Sequence, residues 1–147
     1  MTFTVMGNPV GKQRPRVTMN GTFTPTKTRQ YEAFVQSCWK YQSGKCFDGS
    51  KPLELSLLIE MPIPKSVSHK KKLELDGKYH TKKPDADNVI KAISDALNGA
   101  CFPDDNVIAV IKAVKVYSLD PKVVVTINEI EGGYYGANGE TSKANCD

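Results

Sequence analysis

Apolar positions along the chain recur with two periods, and the change from one to the other marks out the elements. The segment from Phe3 to Val10 alternates and runs into Gly7-Asn8-Pro9, which predicts a strand ending in a turn. Asn20-Gly21 stands between Val17-Thr18-Met19 and Thr22-Phe23-Thr24, a hairpin signal. The period then lengthens: Tyr31, Phe34, Val35, Cys38 and Trp39 recur at helical spacing, predicting a helix to about Gln42, capped by Thr26 or Thr28, with these residues facing the core. Leu53 to Met61 returns to strand character and is closed by Pro62 and Pro64. A short helix is predicted over Ser68 to Leu75, capped by Ser66 or Ser68, inside a basic stretch from Lys65 to Lys83. Val107 to Tyr117 and Lys122 to Ile130, rich in β-branched residues, predict two late strands.

Between these lies a segment with its own logic. Pro84 disfavours helix at Lys83, Asp85 and Asp87 are both good N-caps, and Gly99 follows the last periodic residue as a C′ glycine does. Projected at about 100° per residue, Val89, Ile90, Ala92, Ile93, Ala96 and Leu97 fall on one side, and Asp87, Lys91, Ser94, Asp95 and Asn98 on the other. Length and pattern predict one domain over residues 1–131. Residues 132–147, rich in Gly, Asn, Ser and Lys with little to bury, predict a disordered tail. Neither an internal repeat nor a second domain is visible.

Composition narrows the function classes. The chain of 147 residues is 39% hydrophobic and 24% charged, so it can build one core but carries no apolar run that would span a bilayer. Met1-Thr2-Phe3-Thr4-Val5 lacks the start of a signal peptide, which places the expectation in the cytoplasm. Cys38, Cys46, Cys101 and Cys146 form no C-x-x-C pair and are expected to be reduced thiols. A zinc site drawn from His69, His80 and Cys101 lacks suitable spacing. The net charge is +4, and its distribution matters more than its size. Lys12, Arg14, Arg16, Lys27 and Arg29 cluster near the start, and Lys65, Lys70, Lys71, Lys72, Lys78, Lys82 and Lys83 in the middle. Such clusters either neutralise phosphates or simply solvate a face.

The carboxylates carry the candidate chemistry. Asp85 and Asp87 bracket the helix start, Lys91 and Asp95 follow at four-residue steps, and Asp104-Asp105 stand at the entrance to the next strand. Read plainly, this is an acidic cap with i,i+4 ion pairs on a solvated helix. If a tight return brings Asp104-Asp105 beside the helix start, the carboxylates repel unless a hard cation sits among them, and magnesium is the cation that oxygen ligands suit. Lys91 would then neutralise charge on a reacting phosphate.

The run Lys83-Pro84-Asp85-Ala86-Asp87-Asn88-Val89-Ile90-Lys91-Ala92, then Asp95-Ala96-Leu97-Asn98-Gly99, then Asp104-Asp105, resembles the RusA family of crossover-junction endonucleases. Pro9 to Arg16 is similar to a basic R-P-R segment of that family, and Thr24 to Thr28 and Lys115-Val116-Tyr117 fit as well. The resemblance covers roughly residues 3–130. It implies a compact α/β fold, a small mixed sheet packed by helices. It also implies a homodimeric, Mg²⁺-dependent hydrolase that resolves Holliday junctions by paired, symmetric cuts in DNA recombination and repair, in a phage or prophage setting. Carried over, Asp85, Asp87, Asp105 and Lys91 are the catalytic set, with Asp85, Asp87, Asp105 and Asp104 as candidate metal ligands. Lys12, Arg14, Arg16, Lys82 and Lys83 are candidate DNA contacts. Two other readings stand beside this one: a metal-dependent nuclease of flaps or forks, and a junction-binding module without activity.

Overall fold

The computed structural model describes residues 1–135. The expected tail falls mostly outside them; of its residues, Tyr134 and Tyr135 stack edge to face, with ring centroids 5.3 Å apart. In chain order the elements are β1 (Thr2–Met6), β2 (Arg16–Thr18), β3 (Gly21–Phe23), α1 (Thr26–Gln42), β4 (Leu53–Pro62), α2 (His69–Leu75), α3 (Ala86–Leu97), a 3₁₀ turn (Asp105–Val107), β5 (Ile108–Ser118) and β6 (Lys122–Glu129). Four strands form one mixed sheet in the order β1-β6-β4-β5. β6 is antiparallel to both its neighbours, whereas β4 and β5 run parallel. β2 and β3 form a separate hairpin, its Val17 and Met19 exposed.

Strict alternation in β4 sends Leu53, Leu55, Leu57, Ile59 and Met61 to the helix-covered face, where they meet Phe3, Val5, Val123, Val125 and Ile127 from the other strands. α1 adds Tyr31, Val35 and Trp39 to that core, and α3 adds Val89, Ala92, Ile93, Ala96 and Leu97. The opposite face is mixed: Lys122 pairs with Glu60 at 3.4 Å and Lys112 with Glu54 at 3.2 Å, and the neighbours Leu58 and Val114 stand exposed between them. Phe34 departs from the expectation: it is 47% exposed, because α1 turns only the Tyr31-Val35-Trp39 stripe inward. The start of α1 differs too. Pro25 occupies the N-cap without a side-chain bond, and the buried Thr28 hydroxyl accepts instead from the Gln13 backbone N–H at 3.3 Å. α2 begins as predicted, the Ser68 hydroxyl accepting from the Lys71 N–H. β1 ends at Met6, at the predicted turn, where Gly7 takes φ +98° and donates its N–H to the Pro121 carbonyl.

A parallel pair needs a long crossover, and here the connection from β4 to β5 holds α2, α3 and the 3₁₀ turn. The stretch after α2 runs along the outer edge of β5: Gly77 N–H donates to the Tyr117 carbonyl, Tyr117 N–H to Lys78, and His80 N–H to Lys115. Burial, with help from Lys115 and Lys82, holds the His80 imidazole below its ordinary pKa, and its ring meets Tyr117 edge to face. Among the described residues no helix is long and apolar enough to cross a membrane.

Candidate active site

The crossover delivers the motif residues to one end of α3. Lys115 on β5 fixes the approach, its ammonium donating to the carbonyls of Lys82 at 2.6 Å and Pro84 at 2.7 Å. This lysine was visible in the sequence only as part of Lys115-Val116-Tyr117; no local pattern links it to residues some thirty positions earlier. The Lys83–Pro84 peptide bond is cis. Asp85 takes the N-cap position with an extended backbone but makes no side-chain cap bond. Asp87 lies in the first turn, where its Oδ1 accepts from the Asn88 N–H at 3.0 Å.

Past the helix, Gly99 at φ +77° reverses the chain, and its N–H donates to the Phe102 carbonyl. Asp104 then caps the 3₁₀ turn, its Oδ1 accepting from the Asp105 N–H at 2.9 Å. The two members of the pair thereby separate. Asp104 is spent on the cap and exposed, whereas the Asp105 carboxylate reaches back toward α3, with Oδ2 3.8 Å from the Lys91 ammonium.

Asp87, Lys91 and Asp105 line one surface pocket of about 230 Å³, walled by Ile90, Ile108 and Ile111. Asp85 is not among them: it lines a different cleft of about 560 Å³ with Lys12, Gln13, Lys27, Lys83 and Asn88. Lys91 also bonds Asp95 at 3.0 Å, one turn on, and Asp95 raises its pKa. Ser94, on the polar side of the projection, is buried, and its hydroxyl donates to the Lys91 carbonyl. Helix interiors let serine do this, so a polar residue type was a poor guide to exposure there.

The basic candidates divide into two groups. Arg14, Arg16, Lys82 and Lys83 are exposed, the arginines leading into and opening the β2–β3 hairpin and the lysines at the entry to α3. Lys12 is different: its ammonium contacts Glu32 of α1 and lies 3.0 Å from Asp95 of α3. Burial pulls its pKa down, but the hydrogen bonds and charges of Glu32 and Asp95 outweigh this and leave it raised. Sequence spacing offered no signal for this contact.

Among the described residues, no three His, Cys, Asp or Glu side chains gather as a ready metal cage. Two carboxylates in one pocket nonetheless suit magnesium, which keeps several waters and completes its shell with substrate phosphate. His69, His80 and Cys101 are not brought together. Cys38, Cys46 and Cys101 are free thiols, and burial pushes Cys101 up to about 12.

Gly11 locks the N-terminal segment against this region. A Cβ there would stand 2.9 Å from Pro84 Cβ and 3.2 Å from Asn88 Cβ, while the next residue, Lys12, donates its N–H to the Asn88 carbonyl at 2.8 Å. Gly11→Ala is therefore predicted to cost about 1–3 kcal/mol in chemical denaturation, the scale of overpacking. Cleavage should fall as the start of α3 is pushed away.

The chain is similar to known proteins over most of its length. The uncharacterized protein YqaN of Bacillus subtilis (strain 168) is 36% identical over 139 residues, covering 87% of this chain and 95% of that one. The family model described as endodeoxyribonuclease RusA matches residues 6–128, from the last residue of β1 to the penultimate residue of β6. That span contains both halves of the pocket and the whole crossover, and the chain belongs to the RusA family of endodeoxyribonucleases.

Proposed function

We propose that the protein is a homodimeric, magnesium-dependent resolvase that cuts four-way DNA junctions in symmetric pairs during recombination and repair. The observation that carries this reading is the meeting of Asp87, Lys91 and Asp105 in one pocket. They come from two segments, and the chain reversal at Gly99 joins them. Asp87 and Asp105 are the residues to hold the cation, and Asp85, at the N-cap of α3, would join them from the separate cleft that it lines. When bound, the cation supplies Lewis-acid chemistry: an acidified water and charge neutralisation on the phosphate. Lys91 faces the same pocket and donates to the phosphate oxygens as negative charge builds on them. Arg14, Arg16, Lys82 and Lys83 hold neighbouring phosphates and fix the strand without reading bases. Ile90, Ile108 and Ile111 supply the apolar wall of the pocket.

The test is cleavage of a synthetic four-way junction with a mobile core, beside linear-duplex and flap controls, with and without Mg²⁺. Paired symmetric nicks that require Mg²⁺ are the expected result. Cutting confined to flaps would keep the metal site and replace the substrate, and binding without turnover in any divalent metal would reduce the chain to a junction-binding module.

A further inference from the structure

Asp95 belongs to the motif but has no part in the chemistry described so far. Its side chain is only 20% exposed, and each carboxylate oxygen is committed: Oδ1 lies 3.0 Å from the Lys91 ammonium and Oδ2 3.0 Å from the Lys12 ammonium. Lys12 in turn contacts Glu32, so opposite charges alternate from α1 to the pocket as Glu32, Lys12, Asp95, Lys91 and Asp105. The inner part of this ladder is sheltered, with Lys12 19% and Glu32 21% exposed, while the Lys91 side chain is 55% exposed.

Local helix stability does not account for the arrangement. A lysine preceding an acid by four residues is the less favourable order on an isolated helix, and aspartate is a poor residue for a helix interior. What the geometry does supply is aim. Lysine has a long flexible stem and three rotatable donors, so an exposed ammonium wanders unless something holds it. Asp95 holds it from the helix side, and Lys12 prevents Asp95 itself from turning away.

We propose that Asp95 is a positioning residue that holds Lys91 at the carboxylate pocket, and that Lys12 acts on the reaction through Asp95 rather than by gripping DNA. The inference rests on the reading of Lys91 as the group that faces the scissile phosphate.

Single-turnover cleavage of a mobile four-way junction by the full chain in Mg²⁺ tests it. The variants are Asp95→Asn, Lys12→Gln, Lys91→Gln and the Asp95→Asn/Lys91→Gln pair, with junction Kd measured in EDTA. Asp95→Asn and Lys12→Gln are each expected to slow cleavage by about ten- to a hundredfold without weakening binding, less than the loss of a transition-state donor itself. Once Lys91 is gone, Asp95→Asn should cost nothing more, because two residues acting through one group are not additive. Asp95→Glu, which keeps the charge, should recover part of the rate.

Wild-type cleavage by a folded Asp95→Asn protein, or losses that multiply in the double variant, would overturn the proposal. So would a Lys12→Gln protein that binds junctions more weakly yet cuts bound junctions at full rate. Should Asp95→Asn fail to fold, Lys12→Gln decides the matter by the same split between rate and Kd. Full-rate cleavage by Lys91→Gln would remove that lysine from the reaction, overturning its assignment and this inference together. An inactive Lys91→Gln beside a full-rate Asp95→Asn would overturn the positioning role alone.

Discussion

Replacing Asp87 with asparagine should leave a folded protein that binds four-way junctions and no longer cuts them. Asp87 is exposed in the first turn of α3, and its Oδ1 accepts from the Asn88 N–H within the fold. An asparagine oxygen can accept the same bond. The structural cost is therefore the lost charge at a helix N-terminus, about 0.3–1 kcal/mol. The chemical cost is far larger, since a neutral amide is a poor ligand for a hard cation. Cleavage should drop by about a thousandfold or more, the upper scale for removing a group that stabilises transition-state charge. Binding should hold or tighten, because one negative charge facing the phosphates is gone. Gel-shift titration, single-turnover cleavage and thermal melting on the same preparation check all three. Loss of junction binding with the fold intact, or cleavage near the wild-type rate, would count against the assigned role.

The second large effect separates two adjacent aspartates. Asp105→Asn should abolish cleavage on the same scale of about a thousandfold, because its carboxylate shares the pocket with Asp87 and approaches Lys91. Asp104→Asn should keep most of the activity. Asp104 caps the 3₁₀ turn by accepting from the Asp105 N–H, and asparagine caps about as well as aspartate. Asp104→Ala, which deletes the cap, should lie between them, since the turn that aims Asp105 loosens. Parallel single-turnover assays of the three proteins give the order. If Asp104→Asn proves the dead variant and Asp105→Asn the active one, the ligand and the cap exchange places.

Much of this was legible in the chain because it depends on local pattern. The stripe Val89, Ile93, Ala96 and Leu97 placed a core face on α3, and Gly99 ended it where the backbone does take a positive φ. The return of Asp105 toward Lys91 followed from a short helix and a tight reversal. What was not legible depends on contacts between distant segments. Nothing near Lys12 announces that Glu32, twenty residues on, and Asp95, far beyond it, will close around its ammonium. The cluster of positive residues near the start thus looked uniform in sequence but is not uniform in space. Thr28 presented the same difficulty: a capping residue type in a capping position, whose hydroxyl is taken by the Gln13 backbone. In both cases a polar group had more than one partner available, and the packing of the N-terminal segment on α1 and α3 chose between them.

The two sides of α3 also bear on how such a protein changes over generations. The groups assigned to chemistry and the groups that hold the sheet share one helix of 12 residues but never the same side chain. A lineage that mutates Asp87 or Lys91 retains Val89, Ile93 and Leu97, and so should inherit a folded protein that, on the proposed reading, still binds DNA. Loss of Ile93 takes both properties away at once. Inactive descendants of this scaffold should therefore stay folded and compete for the substrate of their active kin, so that a cell holding both would have a ready-made competitor for the nuclease.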